Sequence, residues 1–295
     1  MENIPRIILE ENIDLGRETD LFLNFLHHRY YVQNRNFIFQ VFPKLERLIE
    51  KEGEKKKMIK SFISKFYSDN KSEIYKIIQK NKNLLMEKSE PSLIALLEIM
   101  GYQYNKPVVY KAAPTILPFS PFGDNIFYFS ILGEIKGETD KNILTIGIHE
   151  ISHFIFLKQL KRIENKKGII LPDDVKNYLK EALAVVILNQ KPLCSILELK
   201  NYKGNPEIQN LRIKKPNGSI KTFTDFLNER YDAIKIKEQK SFSIFLEEII
   251  NILLPIVPEF TKKRIIWNKY GKKVLKEPKL IKLYSEPIKI KKGQT

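Results

Sequence analysis

Two histidines four residues apart, His149 and His153, with Glu150 directly after the first, are the side chains in this sequence best placed to do chemistry. On a helix, positions i and i+4 leave the same face one turn apart, so both imidazoles can meet at one metal ion. Glu150 stands about 100° round the helix from His149. From there its carboxylate reaches a water on the ion without being a ligand itself. Zinc lowers the pKa of such a water towards neutrality, and a neighbouring carboxylate takes the proton to leave a nucleophile. The chain has only four histidines, so this pairing beside a glutamate is uncommon by chance. The two residues inside the motif, Ile151 and Ser152, are uncharged, and apolar residues flank both ends, as a buried helix requires.

The elements around the motif must hold it in place. Its helix is expected over about residues 141–163, capped by Thr139 or Asp140. Before it, residues 107–113 and 125–132 are short runs rich in Val, Tyr, Phe and Ile. They are separated by Pro114, Pro118, Pro121 and Gly123-Asp124, and read as two strands with a long connection. After it comes a strand-like stretch, 168–171. Pro172-Asp173-Asp174 then opens a helix to about Asn189, with acids in its first turn. Upstream, helical spacing runs over 20–42 to a break at Pro43, over 44–49, over 58–87, and from Glu90-Pro91-Ser92 to Gly101. Downstream, 211–224 reads as a hairpin turning on Pro216-Asn217-Gly218, helices follow at 224–231 and 240–256, and a lysine-rich tail closes the chain.

The segment 145–156 resembles the active-site helix of the zincin metallopeptidases, whose signature is HExxH. The resemblance covers about a dozen residues firmly and 102–190 as a pattern of elements. It implies a zinc-dependent peptidase, with one zinc per chain on His149 and His153 and with Glu150 as general base.

Catalytic zinc takes three protein ligands and leaves a position open. The elongated zincin signature would need Gly at position 156 and His at 159; the chain has Phe156 and Gln159, so that branch is excluded. His27 and His28, adjacent and far upstream, point to different faces and suit packing. Peptide deformylases place a cysteine ligand ahead of the helix, whereas Cys194 follows it and reads as a small buried thiol. A carboxylate is left. Glu181 sits where Ala182 to Leu188 make the helix apolar on nearly every side, and a buried carboxylate needs a cation or a metal. The gluzincin branch completes its site with a Glu on a following helix, and the resemblance implies that role for Glu181. The competing role is an ion pair with Lys176 or Lys180. Asp173 and Asp174 are better read as cap and first-turn acids. For the oxyanion donor, Tyr178 and Tyr231 are the candidates, with ordinary packing as the alternative for each.

Bulk properties set outer limits. A chain of 295 residues with 43% hydrophobic residues builds a real core. One cysteine excludes an internal disulfide, and the first residues lack a secretory pattern, so a soluble cytoplasmic protein is expected. The net charge of +16 comes from lysines scattered along the chain. It motivates one alternative function, a basic protein that binds nucleic acid or an anionic surface, its HExxH inactive or structural. No phosphate loop, finger spacing or aromatic–basic motif accompanies that charge.

The expected architecture is α+β: a helical region at 1–90, a zincin-like core with a small mixed sheet at 91–190, and a mainly helical region with a hairpin and basic tail at 191–295. The substrate would be a peptide or protein, pairing with an edge strand within 125–132.

Overall fold

The computed structural model describes residues 3–27, 32–49, 55–136, 142–262 and 280–282. Along the chain, β1 (Arg6–Leu9) precedes five helices: α1 (Leu15–His27), α2 (Val32–Val41), α3 (Pro43–Ile49), α4 (Lys55–Asp69) and α5 (Lys71–Met100). Then come β2 (Val109–Thr115), β3 (Phe122–Gly123), β4 (Ile126–Ser130), α6 (Leu132–Ile135), α7 (Ile143–Lys167), α8 (Asp173–Leu188), α9 (Lys191–Ile196) and α10 (Pro206–Asn210). The hairpin β5 (Arg212–Lys214) and β6 (Ile220–Thr222) leads into α11 (Phe223–Tyr231), a π-helical turn (Asp232–Lys237), α12 (Phe242–Leu253), a 3₁₀ turn (Leu254–Ile256) and α13 (Val257–Lys262), with β7 at Leu280–Lys282. The class is α+β, predominantly helical. No helix among the described residues is long and apolar enough to cross a membrane.

These residues fall into two compact units, one of 3–93 and 103–150, the other of 94–102, 151–262 and 280–282. The first is built on a four-stranded mixed sheet of order β1-β2-β4-β3. The pairs β1–β2 and β2–β4 are parallel and β3–β4 is antiparallel. Strand β1 falls inside the region expected to be helical; Arg6-Ile7-Ile8-Leu9 is too short for periodicity to reveal it before β2 is there to pair with. Strand β4 is internal. On its outer side β3 pairs with Ile126 and Phe127, and Tyr128 donates its N–H to the Pro121 carbonyl at 2.8 Å. The expected free edge within 125–132 is therefore covered along most of its length.

Helix α1 starts where Asp14 Oδ1 accepts the N–H groups of Gly16 and Arg17, at 2.9 and 3.0 Å. Its next residue, Glu18, is 3% exposed and turns into the unit. There it accepts from Thr115 Oγ1 and Ile116 N, both at 2.9 Å, and from the Tyr67 hydroxyl at 3.4 Å, joining α1 and α4 to the end of β2. Burial pushes the Glu18 carboxyl up to about 7 against the pull of these donors and of Arg17.

Helix boundaries depart from the expectation in two places. The run over 20–42 is two helices, α1 and α2. The run from 58 breaks at Asn70, whose side chain takes the Phe66 carbonyl at 2.8 Å, and α5 then continues through Pro91 to Met100. A proline inside a helix costs about 3 kcal/mol; the burial of Leu93, Leu96, Leu97 and Met100 just beyond it offsets that. Gly101, with φ of +54°, ends the helix as Tyr102 N donates to Leu97 O at 3.0 Å.

In the second unit α8 is the central apolar element, with ten buried residues from Val175 to Leu188. Phe260 packs tilted against Tyr178 of this helix and edge-on against Phe223, with ring centroids 5.8 Å apart in each pair. The hairpin forms as expected, β5 against β6, with Gly218 at φ +82° and Asn217 Oδ1 accepting from Ser219. β7 adds a parallel strand beside β5. The rest of the lysine-rich tail lies outside the described residues.

Candidate metal centre

Helix α7 starts at Ile143, where Asn142 Oδ1 accepts from Thr145 N at 2.9 Å. Thr139 and Asp140, the expected caps, lie outside the described residues. A second anchor is Asn81, buried in α5. Its Oδ1 accepts from Ile143 N at 3.3 Å while its Nδ2 donates to Glu134 Oε1 at 2.7 Å. The close approach of the helix to the sheet depends on Gly147. A Cβ there would lie 2.8 Å from Cζ of Phe127, so only glycine lets the helix backbone settle on β4 at this depth. Two residues turn a helix by about 200°, so the side of α7 seated on Phe127 is the side opposite His149.

Apart from Ile146 and Phe154, every residue from Ile143 to Phe156 is buried. His149 and Glu150 are nearly covered, and His153 is 1% exposed. Helix α7 runs to Lys167 and stops at Gly168, whose φ is +64°. The expected strand at 168–171 is absent: Ile169 N donates to Glu164 O at 3.1 Å in the helix-ending turn, and Leu171 N donates to Glu164 Oε1 at 2.8 Å. These bonds take two of the segment's N–H groups into the helix end, and α8 follows from Asp173.

From α8, Glu181 meets the histidines. One ligand atom each of His149, His153 and Glu181 lies within 4.8 Å of the other two, and His153 Nε2 is 3.8 Å from Glu181 Oε1. Ligands about 2.0–2.1 Å from a tetrahedral zinc stand about 3.3 Å apart. Closing the group onto an ion therefore takes shifts of up to about 1.5 Å between ligand atoms. Two neutral-capable imidazoles and a carboxylate are a donor set that zinc favours. Glu150 Oε1 is 4.0 Å from His149 Nε2, beside the group but outside it.

The alternative partners of Glu181 separate cleanly. Lys176 pairs with Glu164, at 3.1 Å. Lys180 does reach Glu181: its Nζ is 3.1 Å from Oε1. The Glu181 side chain is 16% exposed, less deeply buried than its apolar neighbourhood predicts. Asn205 also touches it, Nδ2 to Oε2 at 3.5 Å. Asn205 caps α10, a helix not anticipated from the sequence, with Oδ1 accepting from Ile208 N at 2.9 Å and Pro206 following it. Nothing local announces that its amide faces a residue 24 positions earlier.

The remaining candidates have settings of their own. The Tyr178 hydroxyl donates to Glu207 Oε1 at 2.7 Å. Tyr231 is buried edge-on against Phe245, its hydroxyl pushed up to about 12 by burial. Asp173 and Asp174 occupy the first turn of α8 as expected. Cys194 is only half-buried in α9, its thiol directed at the Lys191 carbonyl, because the core side of that short helix is taken by its neighbour Leu193. His27 is exposed at the end of α1, and His28 lies outside the described residues. No protein family, curated protein or solved structure matches the chain.

Proposed function

We propose that the chain is a zinc metallopeptidase, with His149, His153 and Glu181 as metal ligands and Glu150 as general base. The observation that carries this reading is the meeting of His149 and His153 with Glu181, a carboxylate from the next helix, within 4.8 Å. Support also comes from the small mixed sheet against which the HExxH helix lies, the layout that resemblance to a zincin unit implies.

Bound zinc would supply Lewis acidity and bring the pKa of water near neutrality. The protein's own groups do the rest. Glu150, nearly buried and just outside the ligand group, accepts a proton from the attacking water and returns it to the departing amide nitrogen. The buried face of α7 keeps bulk water from both imidazoles, which strengthens their hold on a cation.

The test is zinc content after dialysis against a mild chelator, wild type beside Glu181→Ala, followed by turnover of a peptide library. About one zinc per wild-type chain, lost in the variant, is the expected result. A wild-type protein that is folded and retains no zinc overturns the reading.

A further inference from the structure

The metal-centre reading leaves two neighbours of Glu181 without a role. Lys180 and Asn205 hold different oxygens of its carboxylate, Oε1 at 3.1 Å and Oε2 at 3.5 Å.

Asn205 is put there by a strap. The segment 202–207 runs antiparallel along one stripe of α8 and is tied to it at successive turns. Tyr202 exchanges backbone N–H and C=O with the Asn189 amide, at 2.9 and 2.8 Å. Gly204, at φ +65°, passes so close to Val185 that a Cβ would sit 2.5 Å from its Cγ2. Asn205 follows at Glu181, and Glu207 receives the Tyr178 hydroxyl at 2.7 Å. Positions 178, 181, 185 and 189 form one face of the helix. The strap thus fixes Asn205 above Glu181 independently of any ion.

Lys180 has a different relation to the site. Its side chain is 13% exposed, and an ammonium so covered needs an anion beside it. The oxygen it holds, Oε1, is the same atom that lies 3.8 Å from His153 Nε2. An ion between His153 and Glu181 would need that oxygen, and two cations sharing one carboxylate oxygen in a covered site repel strongly. We propose that Lys180 is a built-in competitor of the metal. It neutralises Glu181 when the ion is absent and gives up Oε1 when the ion enters. Asn205, anchored by the strap, retains Oε2 and keeps the carboxylate aimed at His153. Asn205 thus acts as a positioning residue for Glu181, and the inference rests on the metal-centre reading above. Its consequence is a site that folds without metal and exchanges it, so that occupancy follows the available zinc.

The experiment is a zinc titration of the purified 295-residue chain against a chromophoric chelator, with melting curves in the absence and presence of zinc. Lys180→Met is expected to tighten zinc about tenfold, the scale on which residues beside metal ligands act. It should lower the metal-free melting temperature while enlarging the rise that zinc produces. Lys180→Arg keeps the cation and should stay near wild type, and Lys180→Gln is the second neutral variant should Met fail to fold. Asn205→Ser retains the cap on α10 but not the amide, and should weaken zinc severalfold. Equal or weaker zinc binding in the neutral Lys180 variants overturns the competitor while leaving the metal centre standing. Folded wild-type protein that binds no zinc overturns the centre itself, and the competitor with it.

Discussion

Gly147 and Phe127 are in contact across the interface of α7 and β4, so closely that a methyl group on the glycine would stand 2.8 Å from the ring. This contact sets how deep the helix bearing His149 lies on the sheet. Gly147→Ala gains about 1 kcal/mol of helix propensity but overpacks a fully buried ring, at about 1–3 kcal/mol. We expect a net loss of stability in denaturant unfolding. Phe127→Leu in the same chain should recover part of it, giving a coupling energy that two independent sites would not show.

Glu150→Gln keeps the shape of the side chain and removes its basicity. Zinc content should be unchanged and peptide turnover should fall by about 10²- to 10⁴-fold, the usual worth of a general base. Equal loss of zinc in this variant would move Glu150 into the ligand set and count against its assigned role.

Glu18 predicts a pH dependence of stability. Its carboxyl is raised from 4.5 to about 7 in the folded protein. The folded state therefore binds the proton more tightly than the unfolded one. The stabilisation is complete below pH 4.5 and is lost as pH rises to 7, by about 3 kcal/mol across that window. Glu18→Gln keeps an acceptor for Ile116 and Thr115 and removes the charge. Melting temperatures at pH 5 and pH 8 should differ less in the variant than in the wild type, and the variant should be the more stable at pH 8.

Gly204→Ala tests the strap. The residue combines φ of +65° with a Cβ position 2.5 Å from Val185 Cγ2, so the strap must lift. A cost of about 1–3 kcal/mol is expected from the strain and the clash. Zinc affinity should fall in parallel with that of Asn205→Ser, since both withdraw the same amide from Glu181. Unchanged zinc affinity in a destabilised Gly204→Ala protein would limit the strap to a structural role.

Much of the candidate site is legible along the chain, because a helix fixes the relation of its own residues. His149, Glu150 and His153 belong to one turn and a half of α7, and no partner is needed to place them on adjoining faces. The same holds for the acids of α8's first turn and for the hairpin on Asn217-Gly218, whose geometry is set within a few residues. Helix limits were less legible where tertiary burial overrides local preference, as at Pro91, or where a side chain takes a backbone carbonyl, as at Asn70. β1 was hidden for a related reason: four residues carry too little pattern until a neighbouring strand supplies their hydrogen bonds.

By itself, then, the sequence determined the chemistry-bearing turn of α7, the apolar character of α8 and the candidacy of Glu181 as its carboxylate. Only the tertiary structure decided that Glu181 stands 3.8 Å from His153, that Lys180 and not Lys176 is the cation beside it, and that Asn205 faces it. The physical reason is range. Dihedral preferences and helical periodicity act over a few residues, whereas these contacts join separate elements whose distance depends on packing, down to two glycines that leave room for a neighbouring side chain.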